Sequence, residues 1–337
     1  MTNIREVAKL AGVSVATVSR ALSNPEKVSK ESTEKVMKAI EATNYRVNKL
    51  ARNFRATRSF SFVVLVPEIS NPFFSIVIKA IEIRAQEKGY SVLLGDTQDS
   101  KEREQKYIDL VDSHLADGII QLRPHTSKNP VHEDPRFPYI NLCGTEGTPG
   151  KCIRIDNVGA TKSVVKYLVS LGHRRIGLIT GFRENPHSVD RLRGYCEGIV
   201  ESGLTVDEAL IGRGDFTIWS GVNAAERLCD LGDRPTAIVC MNDEMAIGAL
   251  QTCKLRGLSV PQDMSITGFD NIEYSKYCDP PLTTVSQPAD DMGRIAVDEL
   301  INLIEGGDGS REEHILPYEF ILRSSTSAPA KTPLANR

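Results

Sequence analysis

Four donor groups stand close together near the amino end: the hydroxyls of Ser14, Thr17 and Ser19 and the guanidinium of Arg20. Hydroxyls and arginine grip phosphate oxygens, and arginine also pairs with a guanine edge. To face one duplex, these groups need a rigid mount. Asn3-Ile4-Arg5-Glu6 fits a capping box. Ile4, Val7, Ala8 and Ala11 recur at helical spacing, and Gly12 gives the backbone freedom for a tight turn. Ser14 then suits the N-cap of a second helix running to about Leu22. Val18, Ala21 and Leu22 face inward, which leaves Val15, Ala16, Ser19 and Arg20 outward or along the edge. Ser29 opens a third helix to about Thr43. Its Val36 and Ile40, with Val28, close a small core against Val7, Val18 and Leu22, and Tyr45 packs on the bundle. A short-turned pair of helices of this kind is a helix-turn-helix with a recognition helix near 14–22, although small helical hairpins also occur without nucleic acid.

Charge separates the two ends of the chain. Residues 1–60 hold 12 Lys and Arg against 5 Asp and Glu, a net of +7; the remainder holds 29 against 39, a net of −10. A basic small end on an acidic large end is expected where the small end meets phosphates. No apolar run approaches a membrane span, and the polar start resembles no secretory signal, so a cytoplasmic protein is expected. Seven cysteines without a Cys-x-x-Cys pair argue against a disulfide framework and a structural zinc site. No metal ligand set or cofactor motif stands out.

Past Ser61 the pattern alternates. Strands are expected at 62–66, 91–94, 118–122, 175–179, 237–240, 265–269 and about 318–322. Helices are expected after Asn71-Pro72 and at 101–113, 158–171, 188–202, 217–231, 243–256 and about 288–305. Two successive sets of such units predict two Rossmann-like lobes, the last helix and strand completing the second. Ligands of such folds bind at the carboxyl ends of the strands, here between the lobes. The fold class is therefore a small all-α helix-turn-helix head on a two-lobed α/β body of the periplasmic-binding-protein kind. Expected domains are a head at 1–46, a hinge and linker at 47–60, a body at 61–325 and a tail at 326–337.

Several ordered motifs together resemble the lactose/galactose/purine repressor family of bacterial transcription factors. They are Ile4-Arg5-Glu6-Val7-Ala8 with Gly12-Val13-Ser14 and Thr17-Val18-Ser19-Arg20-Ala21-Leu22-Ser23, then Asn71-Pro72-Phe73-Phe74, Leu171-Gly172-His173-Arg174-Arg175-Ile176, Met241-Asn242-Asp243-Glu244 and Gly268-Phe269-Asp270-Asn271. Gly214-Asp215-Phe216-Thr217 and Cys278-Asp279-Pro280-Pro281-Leu282 add likeness to the cytidine-responsive branch. The resemblance implies that Val15 and Ala16 face the major groove, where they can touch a thymine methyl but have no hydrogen bond to donate; the alternative is a pair that supports the turn. It also implies Thr17, Ser19 and Ser29 at phosphates, with Asn3, Ser14 and Arg20 in the same DNA-facing set. The segment 47–55 becomes a hinge helix with Leu50, Ala51 and, at the minor-groove wedge, Phe54, where the family usually has leucine.

For the cleft, the resemblance implies Phe73, Phe74 and Phe216 as aromatic walls, Phe73 more than Phe74 facing the ligand. Arg191 and Asp270 would grip hydroxyls, unless they serve only as a salt bridge. Asn242 would add an amide contact, Asp243 would cap the following helix, and Gln121 and Arg123 would face a base edge. The implied effector is a nucleoside, cytidine by name, with a purine or a sugar as the alternative. The implied partners are a pseudo-palindromic DNA operator, a second copy of the chain and the cyclic-AMP receptor protein. A transport solute-binding protein shares the two-lobed pattern but not the basic head. An enzyme is not expected, since Gly-x-Gly-x-x-Gly and Gly-x-Ser-x-Gly are missing.

Overall fold

The computed structural model describes residues 3–23, 25–45, 58–123, 137–148 and 150–330. The hinge expectations at Leu50, Ala51 and Phe54 lie outside these residues. The chain divides into two compact units, Met1–Ser59 and Phe60–Arg337.

In the first unit, α1 (Ile4–Ala11), α2 (Val15–Ser23) and α3 (Lys30–Thr43) surround a core of Val7, Ala8, Ala11, Val18, Ala21, Val36 and Ala39. Four of these seven are alanines, which lets short helices approach closely. Gly12 ends α1 at φ +64°, a conformation that favours glycine. Asn44 ends α3 in the same left-handed region. Val28 and Tyr45 pack on this core, as their spacing predicts.

The second unit holds two six-stranded sheets. The first has the order β11-β5-β4-β3-β1-β2, built from β1 (Ser61–Val66), β2 (Ser91–Asp96), β3 (Ile119–Gln121), β4 (Tyr139–Leu142), β5 (Lys151–Ile155) and β11 (Glu313–Leu316). The second has the order β12-β10-β9-β8-β6-β7, built from β6 (Ile176–Thr180), β7 (Ile211–Arg213), β8 (Ala237–Cys240), β9 (Ser265–Asp270), β10 (Thr283–Ser286) and β12 (Glu319–Ile321). All pairings are parallel except that of β12 with β10. The helices α4 (Pro72–Glu87), α5 (Lys101–Asp112), α6 (Asn157–Ser170), α7 (Pro186–Glu201), α8 (Ile218–Cys229), α9 (Asp243–Leu255) and α10 (Ala289–Ile304) cover these sheets.

The lobes are not successive in the chain, which corrects the expectation above. The helix at 288–305 does not complete the second lobe. Met292, Ala296, Val297 and Leu300 of α10 enter the core of the first sheet with Phe62, Val77 and Ile81. Gly293 permits the approach: a Cβ there would stand 2.7 Å from Ala80 Cβ. The chain therefore passes between lobes at Asp156, at Gln287-Pro288 and at Pro317-Tyr318, and three such links constrain the lobes to hinge about one edge.

Five strands went unread in the sequence: β4, β5, β7, β10 and β11. Strand β5 shows why. Its charged Lys151 and Arg154 are both buried, which an apolar-run reading rejects. Lys151 Nζ lies 2.7 Å from both Glu299 and Glu312, and Arg154 Nε lies 2.6 Å from Glu313. Long-range ion pairs make the burial tolerable, and no local pattern announces them.

Candidate functional site

The second helix of the head forms where the sequence places it, at Val15–Ser23. Ser14 Oγ accepts from Thr17 N at 3.1 Å, and the two side-chain oxygens lie 2.9 Å apart. Ser14, Ala16 and Arg20 are exposed, while Val15, Thr17 and Ser19 are half-buried. Val15 leans on the small core, so it serves the turn as well as the surface. The Asn3 amide is engaged in capping: its oxygen accepts from Arg5 N and Glu6 N at 2.9 and 3.1 Å, and its nitrogen donates to Glu6 at 3.3 Å. The Glu6 carboxylate thus returns to the Asn3 side chain, where a capping box would return to its backbone. Ser29 caps α3 by accepting from Ser32 N at 3.3 Å.

Between the two lobes of the body lies a cavity of about 440 Å³. It opens at the carboxyl ends of the parallel strands, where doubly wound sheets hold ligands. Two helices begin there with the same device, an Asn-Pro pair. Asn71 accepts from Phe73 N and Asn185 from His187 N, each at 2.9 Å, with proline next. The second pair was the unread signal that α7 starts at Pro186.

Seven of the eight expected effector residues line the cavity: Phe73, Phe74, Arg123, Arg191, Phe216, Asn242 and Asp270. Gln121 is not among the lining residues. It lies within β3, 2% exposed, with its oxygen unpartnered among the described residues. Phe73 and Phe74 exchange roles: Phe73 is 5% exposed and packs in the core, while Phe74 is the more open ring. Phe216 takes φ +72° and packs directly on Gly181, where any Cβ would meet its ring. Phe182 meets Phe216 edge-on at 6.3 Å, so two aromatic rings from the second lobe stand opposite Phe74 of the first.

Arg191 is the most constrained side chain of the site. Its Nε donates to Asn157 at 2.9 Å, its Nη1 donates to the Met241 carbonyl, and its guanidinium lies 3.5 Å over the Phe269 ring. Its Nη2 is 3.6 Å from Asp270, whose other partner is Gln287 at 2.7 Å. Both members of this ion pair belong to the second lobe. Burial pushes the Asp270 carboxyl up to about 6, against the pull of Arg191 and Gln287. Asp270 and Asn271 sit at φ +105° and +54°, strained for side chains that are not glycine.

Asn242 and Asp243 also differ from expectation. Asn242 is the cap of α9, accepting from Met245 N at 2.9 Å and donating to the Phe216 carbonyl at 2.8 Å. Its amide thereby holds the Phe216 loop and keeps one N–H at most for a ligand. Asp243 is buried, accepting from Ile272 N at 2.8 Å and Thr284 at 2.5 Å. It pins the loop after β9, and burial holds its carboxyl well above the usual range.

His187, Glu244 and Glu68 are among the lining residues that the sequence reading missed. Burial and the nearby Arg191 and Arg123 cations bring His187 down to about 3, so its imidazole is neutral. Glu244, two residues past Asn242, is raised to about 7 by burial and by the carboxylates of Asp270 and Glu68. Glu68, just past β1, approaches from the first lobe. Position after a strand end was the available signal for both glutamates. Arg123 is paired with Asp99, and burial pulls its guanidinium down.

Residues 3–48 match the model of the bacterial regulatory proteins, lacI family, and residues 165–326 match that of the periplasmic binding protein-like domain. The chain is 40% identical over 331 residues to the HTH-type transcriptional repressor CytR of Escherichia coli strain K12, covering 96% of each. It is 34% identical over 332 residues to the HTH-type transcriptional regulator DegA of Bacillus subtilis strain 168, covering 97% of this chain and 98% of that one. Among solved structures it is similar to the lac repressor dimer bound to operator and the anti-inducer ONPF, with a TM-score of 0.88 at 28% identity, covering 97% of this chain and 99% of that one.

Proposed function

The chain belongs to the lacI family of bacterial regulatory proteins, and from that premise we propose that the nucleoside cytidine is the ligand that controls it. It is a DNA-binding transcriptional repressor with a ligand-binding body, not an enzyme. It works in the cytoplasm, where its DNA lies. Its partners are double-stranded DNA and a second copy of itself.

The observation that carries the nucleoside reading is the charge of the cleft wall. Among the described lining residues, five carboxylates (Glu68, Asp99, Asp215, Glu244 and Asp270) face two guanidiniums, and both guanidiniums are already paired. Such a wall repels a phosphate or carboxylate and accepts from hydroxyls and amines. With Phe74 and Phe216 offering ring faces, it suits an uncharged ribose joined to a flat base. In this reading Asp270 accepts from the ribose diol, and Arg191 orients that carboxylate. The head at 1–46 reads the operator through Arg20, Val15 and Ala16, with Ser14, Thr17, Ser19 and Ser29 near phosphates. The hinge at 47–60 carries Leu50, Ala51 and Phe54 toward the minor groove, the body spans 61–325, and 326–337 form a tail. Cooperation with the cyclic-AMP receptor protein follows from the likeness to the cytidine-responsive branch and belongs to the same proposal.

The test is direct. The chain has one tryptophan, Trp219, two residues from the cleft residue Thr217. Its fluorescence should change on titration with cytidine, and calorimetry should give a matching dissociation constant. Asp270→Asn should weaken binding at least tenfold. A panel of adenosine, ribose, inosine and hypoxanthine separates purine and sugar readings, and no response to any nucleoside would sink the nucleoside reading.

A further inference from the structure

Glu244 carries no hydrogen bond or ion pair among the described residues, although it is half-buried at the cleft wall. It belongs to the first turn of α9, in the second lobe. Glu68 lines the same cavity from the first lobe, on the loop between β1 and α4, and is held in place by Ser70, whose N and Oγ donate to it at 3.2 and 2.8 Å. Two lobes thus bring like-charged acceptors to one space. Among the described residues no side chain or backbone group is hydrogen-bonded to Glu244, so its half-buried carboxylate stands at the cleft wall as an acceptor open to a ligand. Its upward shift to about 7, with Glu68 and Asp270 among the causes, agrees with this proximity.

We propose that Glu68 and Glu244 form an amine subsite that bridges the lobes and selects a nucleobase carrying an exocyclic amino group. An amino group on an aromatic ring offers two N–H donors in one plane. One can go to the carboxylate of each lobe, so the ligand itself ties the lobes together. Above about pH 7, where Glu244 is ionised, a base with a carbonyl at that position presents an acceptor to two acceptors and is rejected. Gln121 and Arg123, which the sequence points to for the base edge, do not compete for this role: the first does not line the cavity and the second is paired with Asp99. The inference rests on the nucleoside reading and adds to it the edge of the base that is read.

Cytidine and uridine differ at this position, amino against carbonyl, and at the adjoining ring nitrogen, which is bare in cytidine and carries hydrogen in uridine; with an N4-alkylated cytidine to separate the two, they provide the probe. Calorimetric titration of the full chain with each at pH 8, where Glu244 is ionised, should give cytidine at least tenfold the affinity of uridine, since a site built for a donor rejects the analogue lacking it. Glu244→Gln, whose amide can donate to a carbonyl, should lower the cytidine-to-uridine ratio at least tenfold. Glu68→Gln should lower it in the same direction. N4,N4-dimethylcytidine, which has no amino hydrogen, should bind the wild-type chain no better than uridine. Thermal melts of both variants check that they fold. If wild type binds both nucleosides equally, or if the ratio is unchanged in folded Glu244→Gln and Glu68→Gln, the amine subsite is wrong while the nucleoside reading stands. If wild type binds neither, both fall together.

Discussion

At the scale of single residues, the cleft is a set of groups tied to one another before any ligand arrives. Arg191 is fixed by Asn157, Met241 and Phe269, and only then faces Asp270. The residue types were legible because arginine, carboxylate and aromatic side chains fall just past strand ends. Their exact roles were not. Whether Phe73 or Phe74 is the open ring depends on which side of α4 meets the core, and both neighbours are apolar. Whether Asn242 or Asp243 caps α9 depends on Thr284 and Ile272, far away in the chain. Glu244 yields a prediction at this scale. Its carboxyl moves from an ordinary 4.5 to about 7 on folding. Between those values the folded chain holds a proton that the unfolded chain has lost, so this group's contribution to stability declines as pH rises through the interval. Glutamine cannot ionise and escapes the loss. In paired thermal melts, Glu244→Gln should gain on wild type from about pH 4.5 to 7 and level off above. A difference independent of pH would show that Glu244 titrates as an ordinary carboxylate.

At the scale of elements, the helices were read well because they are long and periodic, and the buried short strands were not. Three- and four-residue strands such as β7 and β10 offer too few positions for a pattern, and β5 hides its burial behind Lys151 and Arg154. The placement of α10 on the first sheet is a question of topology, which the alternation of strand and helix leaves open. Packing of α8 on α9 is equally invisible in the sequence, yet it positions both Phe216 and Glu244. The two helices touch through glycines. A Cβ at Gly248 would stand 2.7 Å from Val222 N and press on the Ile218 carbonyl, and one at Gly221 would stand 2.6 Å from Met245 Cα. Backbone atoms cannot rotate away, so the helices would have to separate. Gly248→Ala should therefore destabilise the body by about 1–3 kcal/mol, despite the better helix propensity of alanine. Urea unfolding followed by circular dichroism measures this; an unchanged or raised midpoint would mean that the contact yields easily.

At the scale of the whole molecule, a basic head and an acidic body divide the work. Residues 1–60 carry a net of +7 and the remainder a net of −10. On the proposed reading, in which Val15 and Ala16 face the groove, the recognition helix has few base-edge donors and part of its discrimination comes from half-site spacing and the hinge. The body supplies a cleft between lobes joined by three links, a geometry that a ligand can shift between two arrangements. Both domains were legible in the sequence, from the periodic head, the charge split and the repeating strand-helix units. The interleaving of the lobes was not, because it depends on where the chain crosses over. The proposed function requires coupling between cleft and head. The measurement that bears on it most directly is the affinity of the full chain for a labelled operator, isolated by selection with this protein and followed by fluorescence anisotropy, with and without saturating cytidine. A coupled regulator should change its operator affinity by about 5–150-fold on adding cytidine. Operator affinity identical in both conditions would contradict the account.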